Sequence, residues 1–350
     1  MTVNLDTAPI LLSRERSASR RRQVALALTF GLVIAFAVAL YLGDYPVSVE
    51  GVVRSLFSPL TGLTDRGVDF IVLQVRLPRA TLAVLSGAAF ALAGITFQTL
   101  LRNPLASPDI IGIAHGASAA AVFCIIILGW SGLAVSFGAF AGAVGTALAI
   151  YVLAWRNGVT AYRVVLIGIG MAAMLAAVIS YLFTRARLTE VQQAMAWLVG
   201  SLNASRPGDV FVLGGAMLVL VPAMIALLRG LDAIELGDDT ARSLGARVEF
   251  TRLGLMLVAV GFAAFATAAV GPVGFVAFVS GPLARTLLKG AGRGFPQAAL
   301  VGALVMLVSD LIAQHMLPNT QLPVGVVTGA CGALFLIWLL MASGRSGRVN

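Results

Sequence analysis

Few side chains in this sequence are placed to carry out acid, base or metal chemistry. Asp310 is the only carboxylate well inside an apolar segment, and such a residue marks either an ion path or a hydrogen bond between membrane helices. The two cysteines, Cys124 and Cys331, each lie in an apolar run and indicate neither a disulfide framework nor a metal site. Because the sequence offers no paired histidines for a metal and no serine–histidine pair at one depth, it predicts a protein that is not an enzyme.

A nucleotide-binding loop is also missing from the sequence. A Walker A motif places a lysine after a glycine-rich turn, so that the ammonium group reaches the phosphates. The single lysine here, Lys289, has no such loop before it. We therefore expect this chain to bind no ATP and no other cofactor.

Two arginines, Arg76 and Arg79, flank Pro78 just before a long apolar run. Pro78 suits a first helical turn, where its missing N–H would be unbonded in any case. Cations at a helix N-terminus oppose the helix macrodipole, so we expect compensating groups nearby. Lipid headgroups reached by long side chains and carboxylates of an external protein are both open as those groups.

The polar segment 236–245, which begins with Leu236 and Gly237, has the pattern of a short capped helix. Asp238 is a preferred N-cap residue, and Gly245 suits a left-handed helix end. An alanine and a leucine three positions apart within it would share one apolar face. Such a helix either displays a docking surface or connects its neighbours, and both interpretations stay open.

The elements that must position these residues are membrane helices. Of 350 residues, 59% are hydrophobic and 11% charged, with a mean hydropathy of +0.97, which excludes an ordinary water-soluble domain. Apolar runs of about 20 residues predict membrane spans. Ser107 is expected to cap the helix of the third span, with Pro108 as its first helical residue. Ten spans are predicted, at 24–42, 80–101, 109–128, 133–155, 164–183, 210–228, 253–270, 273–288, 298–316 and 323–341.

The distribution of lysine and arginine supports ten spans with both termini in the cytoplasm. With the N-terminus inside, seventeen of the 24 basic residues fall on the inner side. The net charge of +9 is thus scattered between spans and does not form a face for nucleic acid. We predict a cytoplasmic tail at 1–23, an outer loop at 43–79, a membrane domain at 24–341 with an inner loop at about 229–252, and a second tail at 342–350.

Six segments together resemble the permease subunits of ABC importers for iron siderophores, haem and vitamin B12, the FecCD or BtuC-type family. They occur in the family's order and span almost the whole chain. The matching pieces are residues 76–79, 103–106 with Gly112 and Gly116, 197–202, 236–245, 271–275, and Asp310 with 322–327.

This resemblance implies an all-α fold, the type II ABC importer permease bundle of ten membrane helices, in the bacterial cytoplasmic (inner) membrane. It also implies three kinds of partner: a second permease subunit, two ATPase subunits that hold ATP and Mg, and a periplasmic or lipid-anchored siderophore-binding protein. Gln314 takes the position where a homodimeric member would have an arginine, which favours a heterodimer of permeases.

The resemblance further assigns roles to individual residues. It implies docking of the binding protein on Arg76 and Arg79. It implies ATPase coupling by Leu236, Gly237, Asp238, Asp239, Ala241, Leu244 and Gly245. It implies pathway or helix-packing roles for Gly168, Gly170, Asp310, Gly325 and Gly329.

The cargo is suggested by two stretches, 153–158 and 166–170, which are most similar to the ferric enterobactin type within the family. A ferric catecholate siderophore is therefore the preferred cargo. A hydroxamate siderophore, haem or cobalamin is an alternative. A secondary transporter driven by protons or sodium, with Asp310 as its coupling site, is a further alternative that an ionophore would reveal.

Overall fold

The computed structural model describes residues 8–346 except 63, 64, 110, 157–159, 236, 244, 246, 318 and 319. The described residues form helices and no strand. The helices are α1 (Ala8–Tyr41), α2 (Val49–Thr61), α3 (Arg66–Asp69), a π-helix (Phe70–Arg76), α4 (Leu77–Leu100), α5 (Ile113–Ile126), α6 (Leu133–Ala154), α7 (Ala161–Arg185), α8 (Leu188–Leu198), α9 (Pro207–Glu235), α10 (Asp238–Ser243), α11 (Val248–Val270), α12 (Val276–Leu288), α13 (Phe295–His315) and α14 (Val324–Ser346).

Each predicted span overlaps one of these helices. Within the described residues, seven helical segments are long and apolar enough to cross a membrane: α1, the continuous segment Arg66–Leu100, α6, α7, α9, α11 and α13. The other three, α5, α12 and the part Val324–Ile337 of α14, are shorter apolar helices. The count of ten spans and the cytoplasmic placement of both termini therefore stay predictions.

Helix α4 lies at the centre of the bundle and is enclosed by α9, α11, α12 and α13. Glycines allow this close approach, because small residues let membrane helices pack backbone to backbone. A Cβ atom on Gly87 would overlap the carbonyl group of Gly302 in α13, and one on Gly94 would overlap Ala277 in α12. The core is thus built on small residues rather than on large apolar side chains alone.

A second group of helices, α5 to α8, packs beside this centre and meets it through α11. In contrast, the apolar windows of α1, α7 and α9 are only 6%, 11% and 11% buried. Their outer faces are therefore available to lipid or to other subunits.

The segment 43–79, which was predicted to be an outer loop, is largely helical. α4 begins at Leu77 with Pro78 in its first turn, as predicted, but α3 and the π-helix run directly into it, so the continuous helical segment starts at Arg66. The Leu77 N–H donates to the carbonyl of Val72, five residues back, in the hydrogen-bond pattern of a π-helix. Pro78 has no N–H to donate, and the chain changes from π to α geometry at this point. The macrodipole argument for the two arginines therefore does not apply, since both lie within the continuous helical segment Arg66–Leu100 and not at its start.

The start of α5 also differs from the prediction, which placed it at Ser107. The helix begins at Ile113, after Gly112 adopts a φ of 89°. A Cβ at Gly112 would contact the carbonyl oxygen of Gly168 in α7 at 2.9 Å, so this close approach requires glycine. Since Gly168 lies seven residues into α7, the preceding segment reaches about 10 Å along that helix.

Candidate functional site

The clearest polar feature inside the bundle is an ion pair between Arg79 in α4 and Asp310 in α13. The Arg79 Nε donates to Asp310 Oδ2 at 2.9 Å, and Nη2 donates to Oδ1 at 2.9 Å. The side chains are 12% and 2% exposed, respectively. Gln314, one turn further along α13, donates from Nε2 to Asp310 Oδ2 at 2.7 Å. Both carboxylate oxygens are therefore occupied by donors.

Three further side chains join this pair to neighbouring segments. Arg79 Nη1 donates to Gln321 Oε1 at 3.0 Å, and Nη2 donates to Asn203 Oδ1 at 2.8 Å. Gln321 Nε2 in turn donates to Asp44 Oδ2 at 3.2 Å. We call Arg79, Asp310, Gln314, Asn203 and Gln321 the outer cluster. It ties α4 and α13 to the segments before α9 and before α14.

Arg76 has a different set of partners, all of them backbone carbonyls. Its Nη1 donates to the oxygens of Leu40 at 2.9 Å and Tyr41 at 2.8 Å, and Nη2 donates to the oxygen of Tyr45. Only 8% of the residue is exposed. Because Leu40 and Tyr41 end α1, the guanidinium satisfies carbonyls that lack helical partners and meets the negative end of the helix dipole.

A cavity of about 440 Å³ lies beside the outer cluster. It forms where the segment 197–202 meets the end of α11 and the start of α14 through backbone hydrogen bonds: Ser201 N donates to Val270 O at 2.9 Å, and Gly325 N donates to Gly200 O at 3.2 Å. The cavity wall includes Gln193, Trp197, Asn203, Arg206, Asp209, Gly271 and Pro323. The wall thus combines an aromatic ring with charged and amide groups.

The docking assignment of Arg76 and Arg79 stays a prediction. In the isolated chain both guanidiniums bond to oxygens of this chain, and neither is an exposed arginine side chain. Asp310, for which an ion path and a helix-to-helix bond were both open, bonds directly to another helix through Arg79.

The predicted inner helix is present as α10, and Gly245 after it has a φ of 78° as expected for a left-handed helix end. Ala241 is fully buried against Ile234 and Val248, so it faces its own chain and not the solvent. Leu236 and Leu244 lie outside the described residues, as do the side chains of Asp238 and Asp239. Thr240 and Arg242 are exposed on α10, while the coupling role stays a prediction.

The four glycines assigned to the pathway or to packing divide into two pairs. Gly168 packs against the carbonyl group before α5, and Gly325 packs against the carbonyl of Val199, so a Cβ at either would overlap backbone. Gly170 and Gly329 have no heavy atom within 4 Å of a Cβ position. Gly168 and Gly325 therefore lie at close backbone contacts, whereas Gly170 and Gly329 lie on surface that no other described part of this chain covers.

Asn203 and Gln321 are functional candidates that the sequence reasoning missed. Both lie in short polar stretches between helices, and nothing in their spacing connects them to Arg79. The one available signal was the family-like segments at 197–202 and 322–327, which end or begin beside these two residues.

The solved structures include a close match to this architecture. A structure described as an inward-facing conformation of a metal-chelate type ABC transporter superposes with a TM-score of 0.79, at 25% sequence identity, over 92% of this chain and 99% of that one. Together with the apolar helices and the buried outer cluster, this likeness defines the chain as a multi-pass membrane transport permease.

The sequence comparisons then give the family. The profile of the FecCD transport family matches residues 31–342. The ferric enterobactin transport system permease FepG of Escherichia coli is 39% identical, over 93% of this chain and 98% of that protein. The achromobactin transport system permease CbrC of Dickeya dadantii is 37% identical, over 94% of each chain. The chain belongs to the FecCD transport family.

Proposed function

We propose that this chain is a permease subunit of an ABC importer that moves a ferric siderophore, preferably of the catecholate type, across the cytoplasmic membrane. The observation that supports this most is the 39% identity to the ferric enterobactin permease over 98% of that protein. Energy comes from ATP hydrolysis in two partner ATPases, since this sequence has no Walker A loop of its own. A second permease completes the path, with α7 and α14 facing it through the open surface at Gly170 and Gly329.

Docking of a siderophore-binding protein on Arg76 and Arg79 is part of this proposal. Because both guanidiniums bond within the chain, docking exchanges some of those bonds for carboxylates of the partner. The exchange is easiest at Arg79, whose bonds to Gln321 and Asn203 lie at the exposed edge of the outer cluster, while its bonds to Asp310 are buried. Charge-assisted, bidentate hydrogen bonds from arginine to carboxylates are among the stronger hydrogen bonds in proteins.

ATPase coupling is proposed for the segment around α10. The side chain of Ala241 anchors this short helix to Ile234 in α9 and Val248 in α11. A force that the ATPase exerts on the exposed side of α10 is therefore transmitted to both α9 and α11. This supports a role in turning ATPase closure into helix movement.

The cargo is tested by uptake into vesicles that contain the chain with its partner permease, ATPase and binding protein. Radiolabelled ferric enterobactin is compared with a ferric hydroxamate, haem and cobalamin at equal concentration. A preference for the catecholate of about tenfold or more, equivalent to 1.4 kcal/mol, supports the proposed cargo. The relative named for achromobactin has nearly the same identity, 37%, so another chelate is the alternative that this panel would reveal.

The energy source is tested in the same vesicles. An ATPase variant that binds but does not hydrolyse ATP should abolish uptake, while an ionophore should leave it intact. Collapse of uptake by the ionophore with ATP present would instead favour the secondary transporter. The bonds at both oxygens of Asp310 already disfavour that alternative, because ion coupling there would first have to break the pair.

A further inference from the structure

A second cavity lies on the arginine-rich side of the bundle, which is predicted to be cytoplasmic. It has a volume of about 620 Å³ and is enclosed by the basic part of α1, the last turns of α9 and the start of α13. Its wall includes Arg21, Arg22, Ala25, Leu228, Asp232, Arg293, Phe295 and Gln297. None of these residues belongs to the outer cluster or to α10.

The charge of this cavity is positive after its internal pairs are counted. Asp232, its only acidic wall residue, pairs with Arg293 at 2.5 Å. Arg21 and Arg22 remain exposed, and their guanidiniums have no hydrogen bond or ion pair to any described residue. Two cationic groups therefore line one cavity, and neither forms an ion pair with a carboxylate of a described residue.

Hydrogen bonds to neighbouring helices hold the backbone of these two arginines in place. The preceding arginine, Arg20, donates from Nε and Nη2 to the Leu287 carbonyl at 3.1 and 2.8 Å. Gln297 at the start of α13 donates from Nε2 to the carbonyl of Arg21 at 3.2 Å. This part of α1 is thus fixed against α12 and α13, and a ligand would need to order only the ends of two side chains.

Part of the cavity wall is apolar. Ala25, Leu228 and Phe295 continue it toward the membrane interior, and the apolar run of α1 begins directly after the arginines, at Val24. The apolar window of α1 is only 6% buried, so lipid reaches this site from the side. The cavity therefore spans the boundary between headgroups and hydrocarbon.

We propose that this cavity binds the phosphate of an anionic phospholipid, with Arg21 and Arg22 as its ligands and the apolar wall against the acyl chains. Guanidinium groups bind phosphate through paired N–H donors, and basic pockets between membrane helices on the cytoplasmic side bind anionic headgroups. A free phosphate offers similar anionic oxygens. The lipid is favoured because a soluble anion would leave the apolar wall uncovered.

The test measures lipid binding to the purified full-length chain in an uncharged detergent by native mass spectrometry. The probes are phosphatidylglycerol, phosphatidylcholine and inorganic phosphate. The variant Arg21→Gln/Arg22→Gln is compared with the control Arg16→Gln/Arg156→Gln, which removes two exposed inner-side arginines outside this cavity. Since each basic residue contributes roughly fivefold to binding, phosphatidylglycerol should bind about 25-fold more weakly to the cavity variant.

The control variant and phosphatidylcholine define the specificity. The control should bind phosphatidylglycerol like the unmodified chain, and phosphatidylcholine should bind weakly to all three proteins. Equal loss in the control, or unchanged binding in the cavity variant, would overturn the proposal. Displacement of phosphatidylglycerol by an equal concentration of inorganic phosphate would identify a soluble anion as the ligand and overturn the assignment to lipid.

A lysine variant distinguishes loss of charge from misfolding. Arg21→Lys/Arg22→Lys retains the charges without the paired donors and should recover part of the binding lost in the glutamine variant. Recovery with lysine shows that the glutamine variant lost binding because its charges were removed and not because the cavity misfolded. Failure to recover, with an unfolding temperature equal to that of the unmodified chain, would contradict the phosphate assignment.

Discussion

Arg79 and Asp310 lie 231 positions apart in the sequence and are joined by two hydrogen bonds of 2.9 Å. The pair crosses the interface between α4 and α13, which is also the contact formed by Gly87 and Gly302. A buried pair of this kind depends on both members, because removal of one leaves a charge that has lost its water and its partner. It therefore both joins the two central helices and makes their contact sensitive to single substitutions.

The first prediction concerns this pair. Asp310→Ala should lower the free energy of unfolding by about 3–5 kcal/mol, since Arg79 is left buried without its counter-charge. The double variant Arg79→Met/Asp310→Leu should lose much less, because it removes both charges and fills the space with apolar atoms. Denaturant titration of the purified chain measures both free energies.

The exposed pair of Arg54 and Glu50 in α2 serves as the matched control, with side chains 56% and 81% exposed. Glu50→Ala should change the free energy of unfolding by less than about 1 kcal/mol, as for most surface ion pairs. If Asp310→Ala lowered the free energy of unfolding no more than this control does, the buried pair would contribute no more to stability than an exposed pair.

Sequence reasoning located the helices far better than it located their polar contacts. All ten apolar runs fall on helices, because burial in lipid requires long apolar stretches whose length is visible in the sequence. The partners of Arg79 are separated from it by 124 to 242 positions, and no local pattern encodes such pairing. The helical character of 43–79 was missed because its helices are short and amphipathic.

The inner helix shows the same division between local and tertiary information. Its end at Gly245 follows from local backbone preference, and the structure places it there. Its apolar face was predicted either to be displayed for docking or to belong to a connecting helix, and in the structure Ala241 is buried by Ile234 and Val248. An apolar face seen in a sequence identifies a surface that will be covered, but the sequence does not say which part of the molecule covers it.

The second prediction concerns Arg76 and the end of α1. Arg76→Lys keeps the charge but replaces a planar group with several donors by a single ammonium, so at least one of the three carbonyl bonds is lost. A bond from a charged donor contributes about 1.5–3 kcal/mol. Amide hydrogen exchange between residues 38 and 47 should therefore accelerate by about tenfold or more.

Arg66→Lys is the control, because Arg66 is exposed at the start of the same continuous helical segment. It should leave exchange between residues 38 and 47 unchanged. Equal exchange rates in both variants would show that the carbonyl contacts of Arg76 do not hold the end of α1.

The third prediction tests the glycine contact at the centre of the bundle. Gly87→Ala places a methyl group against the carbonyl of Gly302, and the backbones must separate, at a cost of about 1–3 kcal/mol or more. Gly145→Ala in α6 meets no atom within 4 Å and should stabilise its helix by up to about 1 kcal/mol. Thermal unfolding of the two variants should shift in opposite directions. A shift of the same sign and size would contradict close packing at Gly87.

The fourth prediction separates the anchoring of α10 from the stability of the bundle, and it depends on the proposed ATPase coupling. Ala241→Glu would bury a carboxylate between Ile234 and Val248, and a buried unpaired charge is strongly unfavourable. Detachment of the six-residue α10 relieves this cost, so the membrane helices should keep their unfolding temperature. Association with the ATPase, measured by co-purification, should weaken by about tenfold or more.

Ala241→Ser is the volume-matched control, since a hydroxyl is small and can bond to the carbonyl one turn back. It should retain most of the ATPase association. If Ala241→Glu also bound the ATPase normally while transport continued, α10 would not need its anchor, and coupling would have to run through another part of the inner surface. If it lowered the unfolding temperature sharply, the α10 anchor would instead be part of the stable core, because detachment would then have failed to relieve the buried charge.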